Sequence, residues 1–71
     1  MTQVAIGITV NGEDHLLTED MTMRRLLEFL GLPEKGIAVA VDGAVLPKSQ
    51  WDTTDVQKGW TIDVLTAVQG G

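Results

Sequence analysis

The chain has no cysteine and no tyrosine, one histidine, two prolines and three aromatic residues, Phe29, Trp51 and Trp60, in 71 positions. Without cysteine there is no disulfide framework and no thiol nucleophile, a pattern that suits a reducing compartment. Basic residues are scarce: five Lys and Arg stand against ten Asp and Glu, for a formal charge of −5. Nucleic-acid binding needs clustered Lys and Arg, so that class is set aside; basic protein partners suit the charge better, although a solvated acidic surface is the more frequent cause of such a balance. No apolar run is long enough to span a membrane, and the N-terminus lacks the basic and apolar regions of a secretory signal. The expectation is a soluble, cytoplasmic protein with neither nucleic acid nor membrane as partner. Absent too are a glycine-rich phosphate loop, a metal-ligand cluster, internal repeats and low-complexity segments. No residue is a catalytic candidate, and no cofactor is expected to be bound by this chain itself.

What is present is apolar and aliphatic. Hydrophobic residues make up 44% of the chain. A domain of this size hides only about 60% of the surface that its unfolded chain exposes, so most non-polar positions are expected in one core. Val4, Ile6, Ile8 and Val10 alternate with period two and share one face of a strand. Asn11-Gly12 then supplies the two positive-φ positions of a type I′ hairpin turn, which pairs Val10 with Glu13, Ile8 with His15 and Ile6 with Leu17. His15, alone on a hairpin, reads as a half-buried strand residue. Met23, Leu26, Leu27 and Leu30 fall on one face of a helix. Thr22 is its expected N-cap, Met21 and Leu26 have the spacing of a hydrophobic staple, and Gly31 is its αL terminator before Pro33. Arg24 and Arg25 lie off the apolar stripe and are expected to be solvated.

The second half reads as strands. Ile37, Val39 and Val41 point inward while Ala38 and Ala40 point out. Asp42-Gly43 makes a second hairpin turn to Ala44-Val45-Leu46, which Pro47 restricts to an edge. Lys48 to Trp51 reads as a tight turn that lays the Trp51 ring over one end of the core. Asp52 to Asp55 is a polar link. A last strand runs from Trp60 to Val68, with Ile62, Val64, Thr66 and Val68 alternating with Asp63, Leu65 and Ala67. The order β-β-α-β-β-β implies an α+β fold, one mixed sheet packed on one α-helix. The late, apolar last strand fits best at the centre beside the first, the β-grasp arrangement of ubiquitin. The expected division is a domain over residues 1–68 and a flexible tail, 69–71.

That tail is Gln69-Gly70-Gly71, two glycines and a carboxylate. Glycine lacks a Cβ, so such a stem can thread a narrow site on another protein. An α-carboxyl titrates near roughly 3.3–3.7 and is a carboxylate at neutral pH. Leu65 and Ala67, with Ala38 and Ala40 on the neighbouring strand, form a candidate apolar docking patch beside it.

Four stretches now carry a likeness: Ile8 to Gly12, Thr22 to Leu27, Ala38 to Trp51 and Gly59 to Gly71. Together they resemble the ThiS family, sulfur-carrier proteins of thiamine biosynthesis. Leu46-Pro47-Lys48-Ser49-Gln50-Trp51 is similar to that family's Val-Pro-Arg-Ser-x-Trp segment, and Gly70-Gly71 to its terminus. Asp42 stands where Asn is usual, Lys48 where Arg is usual, and Trp60 where an acidic residue normally follows the turn glycine. The resemblance implies a carrier and not an enzyme. A ThiF-type adenylating enzyme would use ATP and Mg²⁺ to adenylate Gly71. Sulfur from a donor such as a cysteine desulfurase would leave a thiocarboxylate there, and a ThiG-type thiazole synthase would receive it. Other readings stay open: the small subunit of molybdopterin synthase, a carrier for another pathway, a ubiquitin-like modifier, or an interaction module with an inert tail. The molybdopterin subunit typically has a proline-bearing segment before its glycines, which Leu65-Thr66-Ala67-Val68 lacks.

Overall fold

A computed structural model describes residues 5–33 and 35–66. Strand β1 (Ile6–Val10) and strand β2 (Glu13–Leu17) form a hairpin, followed by helix α1 (Met23–Phe29). Strands β3 (Ile37–Val41) and β4 (Ala44–Leu46), a 3-10 turn (Lys48–Gln50) and strand β5 (Thr61–Thr66) complete the order. The sheet runs β2-β1-β5-β3-β4. Strand β5 is parallel to β1 and antiparallel to β3, so the last strand is central and the sheet is mixed, as the order implied.

The hairpin register follows from turn chemistry. Val10 faces Glu13, Ile8 faces His15 and Ile6 faces Leu17. Asn11 (φ 51°) and Gly12 (φ 84°) occupy the left-handed region that a type I′ turn requires, and Asp42 (φ 49°) with Gly43 (φ 87°) repeats the device between β3 and β4. This alternation buries Ile6, Ile8, Val10 and Leu17, together with Val39, Ile62 and Val64, on the face that meets α1.

Helix α1 has seven residues, too few to be stable alone. Its first backbone donors, which an isolated helix would leave to water, are each met. The Met23 N–H donates to the Thr54 carbonyl (2.9 Å) and the Arg24 N–H to the Trp51 carbonyl (3.2 Å). The Arg25 N–H reaches Thr22 Oγ1 at 3.3 Å, which makes Thr22 the N-cap. At the other end Leu32 N–H bonds to the Leu27 carbonyl and Gly31 N–H to that of Glu28. With Gly31 at φ 74°, that pair is a Schellman stop. Met23, Leu26 and Leu27 are buried, and Met21 and Leu30 pack against the cluster that holds them.

The link from Trp51 to Trp60 belongs to the core more than its polar sequence suggests. Trp51 is 1% exposed, and its Nε1–H donates to the Leu46 carbonyl at 3.1 Å. The Arg24 guanidinium and the Lys48 ammonium each lie 6.0 Å from its ring centroid, and Arg24 also pairs with Asp52. Val56 is buried at 3% exposure because its N–H bonds to the Met21 carbonyl while Thr22 bridges Asp55. The last strand begins at Thr61 and not at Trp60, which is half-buried and packs at the edge of the core. Val68 and the tail 69–71 lie outside the described residues.

Candidate functional site

Strand β5 is held from both sides by the turns that follow its two neighbours, Asn11-Gly12 after β1 and Asp42-Gly43 after β3. On the β3 side the Asp42 N–H donates to the Thr61 carbonyl (2.8 Å), and Asp42 Oδ1 accepts from the Thr61 N–H (3.1 Å). On the β1 side the Asn11 N–H donates to the Ile62 carbonyl (2.9 Å), and Asn11 Oδ1 accepts from the Val64 N–H at 2.8 Å. Both residues can do this because their left-handed backbone folds a short polar side chain back beside the main chain. Odd-numbered residues of β5 therefore turn their backbone groups to β3, and even-numbered ones to β1.

Side chains on β5 divide accordingly between the two faces of the sheet. Ile62 and Val64 enter the core, and Leu65 stands on the opposite face with 63% exposure. Its direct partner on β3 is Ala38, also exposed. Two residues back, Asp63 faces Ala40, and both are half-buried. Ala40 in turn pairs with Val45 of β4, which is 75% exposed. The expected patch of Leu65, Ala38 and Ala40 is thus brought together on one sheet face, and Val45 extends it. Val45 escaped the sequence reading because a three-residue strand gives no periodicity; the register Val41↔Ala44 across Asp42-Gly43 was the signal for its direction. Ala67, Gln69, Gly70 and Gly71 lie outside the described residues.

Elsewhere the surface offers little chemistry. A shallow hollow of about 400 Å³ opens over Gly7, where the missing side chain leaves space between Leu16 and Gly59. A second, of about 250 Å³, lies between the end of β2 and α1, beside Phe29, which is 68% exposed. His15 is half-buried on β2. Among the described residues no three His, Cys, Asp or Glu side chains cluster as metal ligands, and no polar side-chain atom is buried without a partner. Among the described residues no helix is long and apolar enough to cross a membrane.

Comparison with known proteins gives a consistent picture. The model of the ThiS family matches residues 8–71. A solved structure, the thiamine biosynthesis protein (ThiS) from Geobacter metallireducens, superposes with a TM-score of 0.80 at 28% identity, over 93% of this chain and 100% of that one. The uncharacterized protein ycf40 of Porphyra purpurea is 27% identical over 66 residues, 93% of each chain. A thiazole synthase of Paramagnetospirillum magneticum is 28% identical over 64 residues, 90% of this chain but 20% of that protein.

Proposed function

Because the chain belongs to the ThiS family of sulfur carriers, we propose that its working group is the carboxylate of Gly71, adenylated and then converted to a thiocarboxylate that supplies sulfur for the thiazole ring of thiamine. The observation that carries this reading is the reach of the family match, which runs through Gly70 to Gly71, together with a fold that places β5, the strand leading to them, at the centre of the sheet. The carrier partners enzymes of the ThiF and ThiG types, and the thiazole synthase that contains a stretch similar to this chain supports delivery to such an enzyme.

The chemistry divides as follows. The Gly71 carboxylate attacks the α-phosphorus of ATP on the ThiF-type enzyme, pyrophosphate leaves, and an acyl-adenylate forms. The outer sulfur of a cysteine persulfide, loaded by a donor of the cysteine desulfurase class, attacks the acyl carbon; AMP leaves and an acyl disulfide forms. A second thiol on the partner side then attacks the cysteine sulfur of that S–S bond, leaving a disulfide there and releasing the C–S⁻ group of a thiocarboxylate at Gly71. ATP and Mg²⁺ belong to the partner. This chain supplies the nucleophile, a stem of Gln69 and Gly70 slim enough to enter the site, and a docking face built on Leu65, Ala38 and Ala40 with Ala67. With no cysteine in the chain, sulfur has no side-chain thiol to ride on, and the terminus is the carrier position. The reaction's setting is the cytoplasm.

The test is chain-dependent exchange of labelled pyrophosphate into ATP by a ThiF-type enzyme. Exchange that requires this chain and disappears when Gly71 is removed supports adenylation at Gly71. Exchange that persists without Gly71 contradicts it. Transfer of the chain to lysines of other proteins, in place of sulfur, would favour a ubiquitin-like modifier.

A further inference from the structure

Strand β5 is longer than the strand beside it. β1 stops at Val10, and the last β1–β5 pair is Val10↔Ile62, whereas β5 continues to Thr66 against β3 alone. The backbone groups of even-numbered β5 residues point to the β1 side. The carbonyls of Trp60, just before the strand, and of Ile62 accept from the Thr9 and Asn11 N–H groups, and the Val64 N–H is met by Asn11 Oδ1. There the ladder ends. The Val64 carbonyl and the Thr66 N–H and carbonyl face the place that β1 vacates at its turn, and among the described residues none of them has a backbone partner. Such a strip is a template for another extended chain, and a protein that leaves one open must either hide it or use it.

We infer that this half-edge of β5 is a strand-addition site for an extended segment of the adenylating partner, laid in line with β1 and bonded to Val64 and Thr66. The inference rests on the carrier reading. Its occupant follows from the length of chain beyond β5. Five residues, Ala67 to Gly71, separate Thr66 from the reacting carboxylate. At about 3.4 Å each they reach no more than about 17 Å, so the enzyme that holds Gly71 must be in contact with the body of the carrier close to this strip. Leu65, exposed between Val64 and Thr66, gives the added strand an apolar neighbour on the sheet face. A backbone-paired dock also fixes the direction in which the chain leaves β5, which a lone apolar patch does not.

Proline separates backbone from side chain here. In Thr66→Pro the ring replaces an N–H that faces the open side, so the β3 ladder, made through Leu65, is kept while the added strand is blocked. Thr66→Val keeps the N–H. With the ThiF-type enzyme and ATP, the KM for the carrier should rise about tenfold more in Thr66→Pro than in Thr66→Val, the factor that one lost hydrogen bond makes. The unfolding midpoints of both variants identify any loss of fold. Hydrogen exchange on the unaltered chain gives a second readout that needs no substitution: the Thr66 amide should exchange at least tenfold more slowly in the enzyme complex. Equal KM values for the two variants, or a Thr66 amide that exchanges in the complex as it does free, overturn the inference while leaving the carrier reading intact. Protection of Thr66 that rises with the concentration of the chain alone would assign the strip to a second copy and overturn it likewise. If the unaltered chain is not adenylated, the carrier reading fails and the inference with it.

Discussion

Asn11 does two jobs at one position, and they can be separated. Its backbone at φ 51° turns the β1–β2 hairpin, and its Oδ1 accepts the Val64 N–H at 2.8 Å across 53 residues of sequence. Asn11→Gly removes only the second. Glycine takes positive φ freely but loosens the unfolded chain, and these two effects oppose each other. What remains is the lost acceptor. An unsatisfied buried N–H costs about 1–3 kcal/mol, and because Val64 adjoins the open half-edge, water can approach and the lower half of that range applies. We expect Asn11→Gly to lose about 1–1.5 kcal/mol, a fall in Tm of roughly 4–10 °C for a domain of this size. Asn11→Asp keeps both the acceptor and tolerance of the left-handed region, and should stay within about 0.5 kcal/mol. Asn11→Ala loses the acceptor and forces a Cβ into positive φ, for a total of about 2–3 kcal/mol. Urea unfolding followed by the fluorescence of Trp51 and Trp60 reads all three. Equal stabilities for the Gly and Asp variants would refute the clasp on β5.

Val56→Ala should cost about 1.5–3 kcal/mol, because it empties a core site that is only 3% exposed, and chemical unfolding with an unchanged m-value would check it. Trp51→Phe removes the Nε1–H bond to Leu46 and weakens the ring's contact with Arg24 and Lys48, so a loss of about 1–3 kcal/mol is expected by the same measurement. Leu65→Asp, on the exposed face, should change stability by less than about 0.5 kcal/mol while raising the KM for the adenylating enzyme; an unchanged KM would remove Leu65 from the docking face.

The parts of the fold that were legible beforehand are those in which local chemistry leaves one choice. Asn11-Gly12 and Asp42-Gly43 dictate two-residue turns, and turns of that length fix the register of both hairpins and thereby which side of each strand is buried. Thr22 and Gly31 mark the helix ends because each meets an orphaned backbone group. Val56 was not legible. It is a single apolar residue in a polar link with no period, and it is buried where that link is tied to the helix start, by the Val56 N–H to the Met21 carbonyl and by the Met23 and Arg24 N–H groups to the carbonyls of Thr54 and Trp51. Phe29 and Leu16 also depart from the expectation that most apolar positions lie in the core: the helix stripe passes beside Phe29, and the hairpin register turns Leu16 outward. On the candidate site, period-two alternation placed Leu65, Ala38 and Ala40 on one face. The lengths of β1 and β5 relative to each other, which create the open half-edge, depend on where a parallel pair starts, and no local signal encodes that.

The most direct measurement is the intact mass of the chain after incubation with a ThiF-type enzyme, ATP, Mg²⁺ and a sulfur donor. The carrier account predicts a gain equal to the replacement of one oxygen by sulfur, located by fragmentation to Gly71 and absent from a chain that lacks Gly71. An unchanged mass in a preparation that hydrolyses ATP, or sulfur found at any other position, would contradict it.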